Sequence, residues 1–118
     1  MAETHDTTAD KLAWLQELSD KAAHAGNAHA DGVNAIWALA RLIDCIQRLT
    51  SYERGVTLNV GTVKGGEAKN TVPSYAECRV DLRFLQAPDG LDLVAAVDRA
   101  AREIAADSGA TLSIAGGI

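Results

Sequence analysis

An α+β domain of ferredoxin-like, split βαβ type is the fold the sequence predicts, with two helices on one face of a four-stranded antiparallel sheet. Three observations carry it. Two segments alternate apolar and polar residues with the period of a strand, and two others space their apolar residues with the period of a helix. Their order, with a strand first, reads strand, helix, strand, strand, helix, strand (βαββαβ), which lays both helices over one sheet face.

Met1 to Lys11 is rich in Thr, Asp and Ala without apolar periodicity, so residues 1–11 read as a flexible tail and 12–118 as a single domain. Leu12 to Ala23 is open between two readings. Leu12, Trp14, Leu15 and Leu18 fit one helical face, and a short strand running into Lys21-Ala22-Ala23 fits as well. Small residues from His24 to Ala30 read as a loop, and Asp31 as the N-cap of a helix over residues 32–49. On that helix Ala38, Leu42, Cys45 and Leu49 form one apolar stripe, and Ile36, Leu39, Ile43 and Ile46 form a second beside it. Asn34, Arg41, Asp44 and Arg48 form the polar wedge, which also holds Trp37. Together the stripes are wider than the roughly 100° that one sheet face requires. The surplus calls for another partner, either the second helix or a second copy of the chain.

Val56 to Val63 alternates, with Val56, Leu58, Val60 and Thr62 on one face, and stops at Gly65-Gly66. Ala76 to Phe84 alternates more cleanly: Ala76, Cys78, Val80, Leu82 and Phe84 point one way, Glu77, Arg79, Asp81 and Arg83 the other. Pro88-Asp89-Gly90 follows, with Asp89 as an N-cap, and Leu93, Val97, Ala101 and Ile104 mark the core face of a helix ending near Ser108-Gly109. Thr111 to Ala115 closes the chain as a short strand with Leu112 and Ile114 inward.

The 118 residues are 47% hydrophobic and 23% charged, which suits one compact core. A net charge of -5 repels phosphate backbones, and no closely spaced aromatic pattern offers a stacking platform, so nucleic acid is not an expected partner. No apolar run approaches the ~18 to 20 residues that span a bilayer, so no membrane is expected either. Cys45 and Cys78 read as buried reduced thiols on apolar faces, which with the lack of a basic-then-apolar leader points to the cytoplasm.

Four motifs stand in order: Ala22-Ala23-His24-Ala25-Gly26, Asp31-Gly32-Val33-Asn34-Ala35, Gly65-Gly66 with Asn70-Thr71-Val72-Pro73, and Asp81-Leu82-Arg83. Together, over about residues 21–118, they resemble the dimerisation (lid) domain of the co-catalytic zinc peptidases and aminoacylases, clan MH, of glutamate carboxypeptidase, acetylornithine deacetylase and succinyl-diaminopimelate desuccinylase type. The resemblance implies the same split βαβ order and so favours a strand for Leu12 to Ala23. It departs where Ser19-Asp20-Lys21 replaces a short strand ending in glycine.

What the resemblance implies for function has two parts. The family's zinc pair belongs to a catalytic domain missing from this chain. His5, His24 and His29 are too few for a bridged pair, so no metal site is expected here, and the isolated chain is expected to be inert. The lid itself forms a homodimer, here expected through helix 32–49 and an edge strand, and caps substrate in its partner. By the resemblance, His24 stabilises the oxyanion in the partner's active site, Asn70 helps there or holds the substrate backbone, and Arg83 binds a free carboxylate. Gly65 and Gly66 let the turn approach a ligand through positive φ. The substrates implied are N-acyl amino acids or small peptides with a free carboxylate, and His29 has no role. Sheets of this order also serve as small dimeric amino-acid-binding regulatory modules; in that alternative Gly65, Gly66 and Asn70 bind the amino acid and His24 is incidental.

Overall fold

β1 (Lys11–Glu17) lies inside the sheet, so the stretch left open by periodicity is a strand. The computed structural model describes residues 11–17, 23–24 and 32–116, and the expectations for Met1 to Asp10 and for Asp31 fall outside them. After β2 (Ala23–His24) come α1 (Ala35–Gln47), β3 (Thr57–Gly65), β4 (Thr71–Val72), β5 (Tyr75–Arg83), α2 (Ala87–Ser108) and β6 (Thr111–Gly116). The main sheet has four strands in the order β3-β5-β1-β6. Every neighbouring pair is antiparallel, with Lys11 opposite Asp81, Leu12 opposite Gly116 and Thr57 opposite Arg83. This is the expected split βαβ sheet, with β5 inserted between β3 and β1.

A second, two-stranded sheet pairs β2 with β4, placing Ala23 opposite Val72 and His24 opposite Thr71. Strands of two residues carry no alternation, so this sheet left no trace in the pattern, and His24 sits in a strand where a loop was expected.

Both helix starts differ from expectation. Asn34, not Asp31, caps α1: its backbone is extended (φ -82°, ψ 105°) and its Oδ1 accepts from the Trp37 N–H at 2.8 Å. The Ala35 N–H donates to Pro73 O at 3.0 Å, which ties the helix start to the end of β4. α2 begins before Asp89, because Pro88 with its fixed φ fits the first turn; the cap residue is Gln86, and Asp89 lies inside the turn. There Asp89 accepts from Arg54 at 2.7 Å. α2 ends at Gly109 (φ 83°), whose N–H returns to Ala105 O at 2.9 Å.

The core lies between the sheet and the helix layer. Leu39, Leu42 and Ile46 of α1 and Leu93, Val97, Ala101 and Ile104 of α2 are buried against Ala76, Cys78, Val80 and Leu82 of β5. The strict alternation of β5 is observed, every even residue buried and every odd one at least partly exposed. β3 departs from its expected alternation because the register shifts between Val60 and Thr62, leaving Gly61 as the extra residue. Val63 therefore takes the helix-side position opposite Cys78, and Thr62 moves to the open face.

Burial on α1 draws on both apolar stripes. Ala35, Ala38, Leu39, Leu42 and Ile46 are buried, whereas Ile36 stays 43% exposed and Val63 beside it 59%. Cys45 corrects the buried-thiol reading: it is exposed, because α2 crosses α1 short of it, and Cys78 alone is buried.

Candidate functional site

The β2–β4 pair organises one end of the molecule. His24 is held by backbone pairing to Thr71, and Asn70 immediately precedes that residue in a turn closed by the Thr71 N–H on Ala68 O at 3.2 Å. Gly66 lies at the same end with φ 85° and donates its N–H to Tyr75 O at 3.3 Å. Left-handed backbone there is the need the sequence predicted for a glycine. Gly65 differs: its φ is not positive, and what excludes a side chain is contact, since a Cβ would stand 2.9 Å from Ala76 Cβ and 3.0 Å from Tyr75 O. A shallow cavity of about 260 Å³ opens between this turn and the start of β5, lined by Lys64, Gly65, Gly66, Glu67, Ser74 and Tyr75. Tyr75 closes one side by donating its hydroxyl to Glu77 Oε1 at 2.6 Å.

Arg83 is not part of this cluster. It ends β5, while Gly65 is opposite Ala76 near the strand's beginning. The eight residue steps from Tyr75 to Arg83 span roughly 26 Å at a strand's ~3.3 Å rise. The convergence expected from the motifs thus holds within one chain for His24, Gly65, Gly66 and Asn70, and fails for Arg83. At its own end Arg83 is largely exposed and donates Nε–H to Asp81 Oδ2 at 2.9 Å, on the same open sheet face as Glu77 and Arg79. A guanidinium so placed keeps other donors for a carboxylate.

Two features lay beyond the motifs. The outer edge of β3 is partly closed by side chains: Gln47 Oε1 accepts from the Val60 N–H and Thr50 Oγ1 from the Leu58 N–H. A polar residue placed near a helix end signals nothing until the strand beside it is known. The other is an apolar cavity beside Trp37, for which the signal was an aromatic residue inside a polar wedge.

Among the described residues no group of three or more His, Cys, Asp or Glu stands so as to hold a metal ion, so these residues do not form a zinc site. No described helix is long and apolar enough to cross a membrane.

Comparison with known proteins agrees with this architecture. The family model described as "Peptidase dimerisation domain" matches residues 13–108. Over 64 residues the chain is 39% identical to a p-aminobenzoyl-glutamate hydrolase homolog of Haemophilus influenzae, covering 53% of this chain and 15% of that protein. It is 36% identical over 63 residues to the indole-3-acetyl-aspartic acid hydrolase of Enterobacter agglomerans, covering 52% of this chain and 14% of the relative. Among solved structures, the aminobenzoyl-glutamate utilization protein from Klebsiella pneumoniae shares the fold with a TM-score of 0.82 at 24% identity, over 92% of this chain and 27% of that one. The aminopeptidase PepT from Bacillus cereus superposes with a TM-score of 0.80 at 26% identity, over 92% and 28%. The match thus spans about 15% of the length of these curated relatives, and the fold is shared with a part of larger enzymes. With the matched region running from β1 to the end of α2, the chain belongs to the peptidase dimerisation domain family.

Proposed function

We propose that this chain is the homodimeric, substrate-capping lid of a zinc-dependent amidohydrolase acting in the cytoplasm on N-acyl amino acids with a free carboxylate. The names of the relatives support the substrate class, since p-aminobenzoyl-glutamate and indole-3-acetyl-aspartate are both amides of an acidic amino acid. The zinc-bearing catalytic domain lies outside these residues. His24 donates to the developing oxyanion, Asn70 holds the substrate's backbone groups, and Arg83 takes the carboxylate.

The observation that carries this reading is the separation of Arg83 from His24 and Asn70 at opposite ends of β5. One protomer cannot apply all three to a small substrate. A two-fold pairing of β3 edges, antiparallel by symmetry, sets the Thr57 end of one protomer beyond the Gly65 end of its partner, and with it Arg83, which is opposite Thr57. β1 enters the sheet at Lys11 and β6 leaves it at Gly116, both at the Arg83 end, so a catalytic domain joined there stands beside one protomer's Arg83 and its partner's His24.

The β3 edge suits such pairing. Past Gly61 no side-chain cap on it is found among the described residues, and Val63 and Ile36 line it with exposed apolar surface. Sedimentation equilibrium tests the dimer: the chain should be dimeric at micromolar concentration, and Val63→Lys should weaken association at least tenfold. A wild-type chain that stays monomeric up to about 100 times that concentration would overturn the reading, as would zinc-dependent hydrolysis of p-aminobenzoyl-glutamate by the isolated chain.

A further inference from the structure

Trp37 is 69% exposed on a helix whose other large apolar residues are at least partly covered. The dimer proposed above does not account for it. The flank of α1 that faces the β3 edge is marked by Ile36, which abuts Gly66, and by Gln47, which bonds the Val60 N–H. Trp37 is turned about 100° from Ile36 around the helix axis. That rotation takes it away from the edge, toward the side where Arg41 donates to Asp107 of α2 at 2.9 Å.

On this side a cavity of about 250 Å³ opens between the start of α1, the end of α2 and β4. Val33, Ala38 and Val72 supply its apolar walls, the Trp37 indole one flank, and the Arg41–Asp107 pair its rim. A cavity of roughly 150 Å³ with apolar walls is known to admit benzene, so the space suits a substituted ring. The rim pair carries no net charge, and the indole offers a flat face for offset stacking. Both favour a neutral planar ring over an ion.

Position gives the ring its context. Val72, in the cavity wall, is two residues beyond Asn70 and next to Thr71, the backbone partner of His24. Two strand steps cover about 7 Å, comparable with the reach of a benzoyl group from its amide carbonyl.

We propose that the Trp37 cavity is a subsite for the aromatic acyl group of an N-aroyl or N-arylacetyl amino acid whose amide lies at His24 and Asn70. The identity of the ligand rests on the function proposed above; the cavity itself is built within one protomer. Trp37 therefore sets a preference for aromatic over aliphatic acyl groups, through stacking that an alkyl ring cannot reproduce.

Two-dimensional NMR of the ¹⁵N-labelled chain tests this with benzamide as probe and cyclohexanecarboxamide as its non-aromatic counterpart. Benzamide should produce saturable shifts at the Trp37 indole N–H and the Val33 and Val72 amides. Affinity should fall at least fivefold for cyclohexanecarboxamide and for the Trp37→Ala chain, and Trp37→Phe should retain most of it. Absence of a saturable shift at the Trp37 indole, or equal affinity in wild type and Trp37→Ala, overturns the subsite. The Val63→Lys chain separates the two readings: ring binding by a chain that never dimerises removes the lid dimer alone, whereas a dimer indifferent to benzamide removes the subsite alone.

Discussion

Gln47 Oε1 accepts a hydrogen bond from the Val60 N–H at 2.7 Å, so the last residue of α1 closes a backbone donor on the outer edge of β3. Thr50 does the same one pleat earlier, accepting from the Leu58 N–H at 3.0 Å. The edge is thus divided at the Gly61 bulge into a capped half and a half left for backbone pairing.

That division predicts opposite effects for substitutions on its two sides. Gln47→Ala should destabilise the fold by about 1 kcal/mol, the usual net worth of one hydrogen bond. It should also speed hydrogen exchange at the Val60 amide without weakening the dimer. Exchange-detected NMR and sedimentation read the two quantities separately; unchanged protection at Val60 would show that the cap is not formed in solution.

Asn34 supports the start of α1 from the other direction. Its Oδ1 takes the Trp37 N–H, and the next residue, Ala35, is bonded to Pro73 O. Asn34→Ala should cost about 1 kcal/mol, and Asn34→Asp, which keeps the acceptor and adds charge favourable at a helix N-terminus, should cost almost nothing. Urea unfolding of the two variants checks the contrast. An Asp31→Ala chain should show no comparable loss if Asn34 is the operative cap.

Gly90 reverses the usual preference of a helix for alanine. In an exposed helix interior Gly→Ala gains up to about 1 kcal/mol. Here an added Cβ would meet the Phe84 ring at 2.7 Å, closer than real contacts allow. Gly90→Ala should therefore destabilise, by about 1 to 3 kcal/mol as overpacking does. Adding Phe84→Leu should recover part of the loss, a coupling measured by a double-mutant cycle on thermal or urea unfolding.

Long periodic segments were legible in the sequence because burial on one side repeats along them: β5 and the core face of α2 follow their patterns residue by residue. Boundaries and caps were less so. Asp31 and Asp89 are good capping residue types, yet the position of a cap depends on which side chain reaches a free N–H, and Asn34 and the Pro88 turn decided that. The Gly61 bulge exchanged Thr62 for Val63 on the helix side, a one-residue slip that an alternating pattern cannot foresee. For the site, motif order located His24, Gly66 and Asn70 at one end but carried no information on the length of β5, which sets Arg83 apart.

The two cysteines make a last, pH-dependent prediction. Burial pushes the Cys78 thiol from 9.0 up to about 11, with the Glu77 carboxylate adding to the shift, while Cys45 is exposed. A thiol whose pKa is raised by folding keeps its proton in the native state at pH values where the unfolded chain has released it. Stability from this group is therefore intact below about pH 9 and declines as pH rises to about 11, by roughly 2 to 3 kcal/mol in full, at 1.36 kcal/mol per unit. Urea unfolding between pH 8 and 11 should show that decline in the wild type and a shallower one in Cys78→Ala, even though the variant starts from lower stability because it leaves a cavity. At pH 8 a thiol reagent should modify Cys45 rapidly and Cys78 only as fast as the protein opens. Equal labelling rates, or parallel pH slopes in the two chains, would mean that Cys78 is not sequestered between the sheet and the helices.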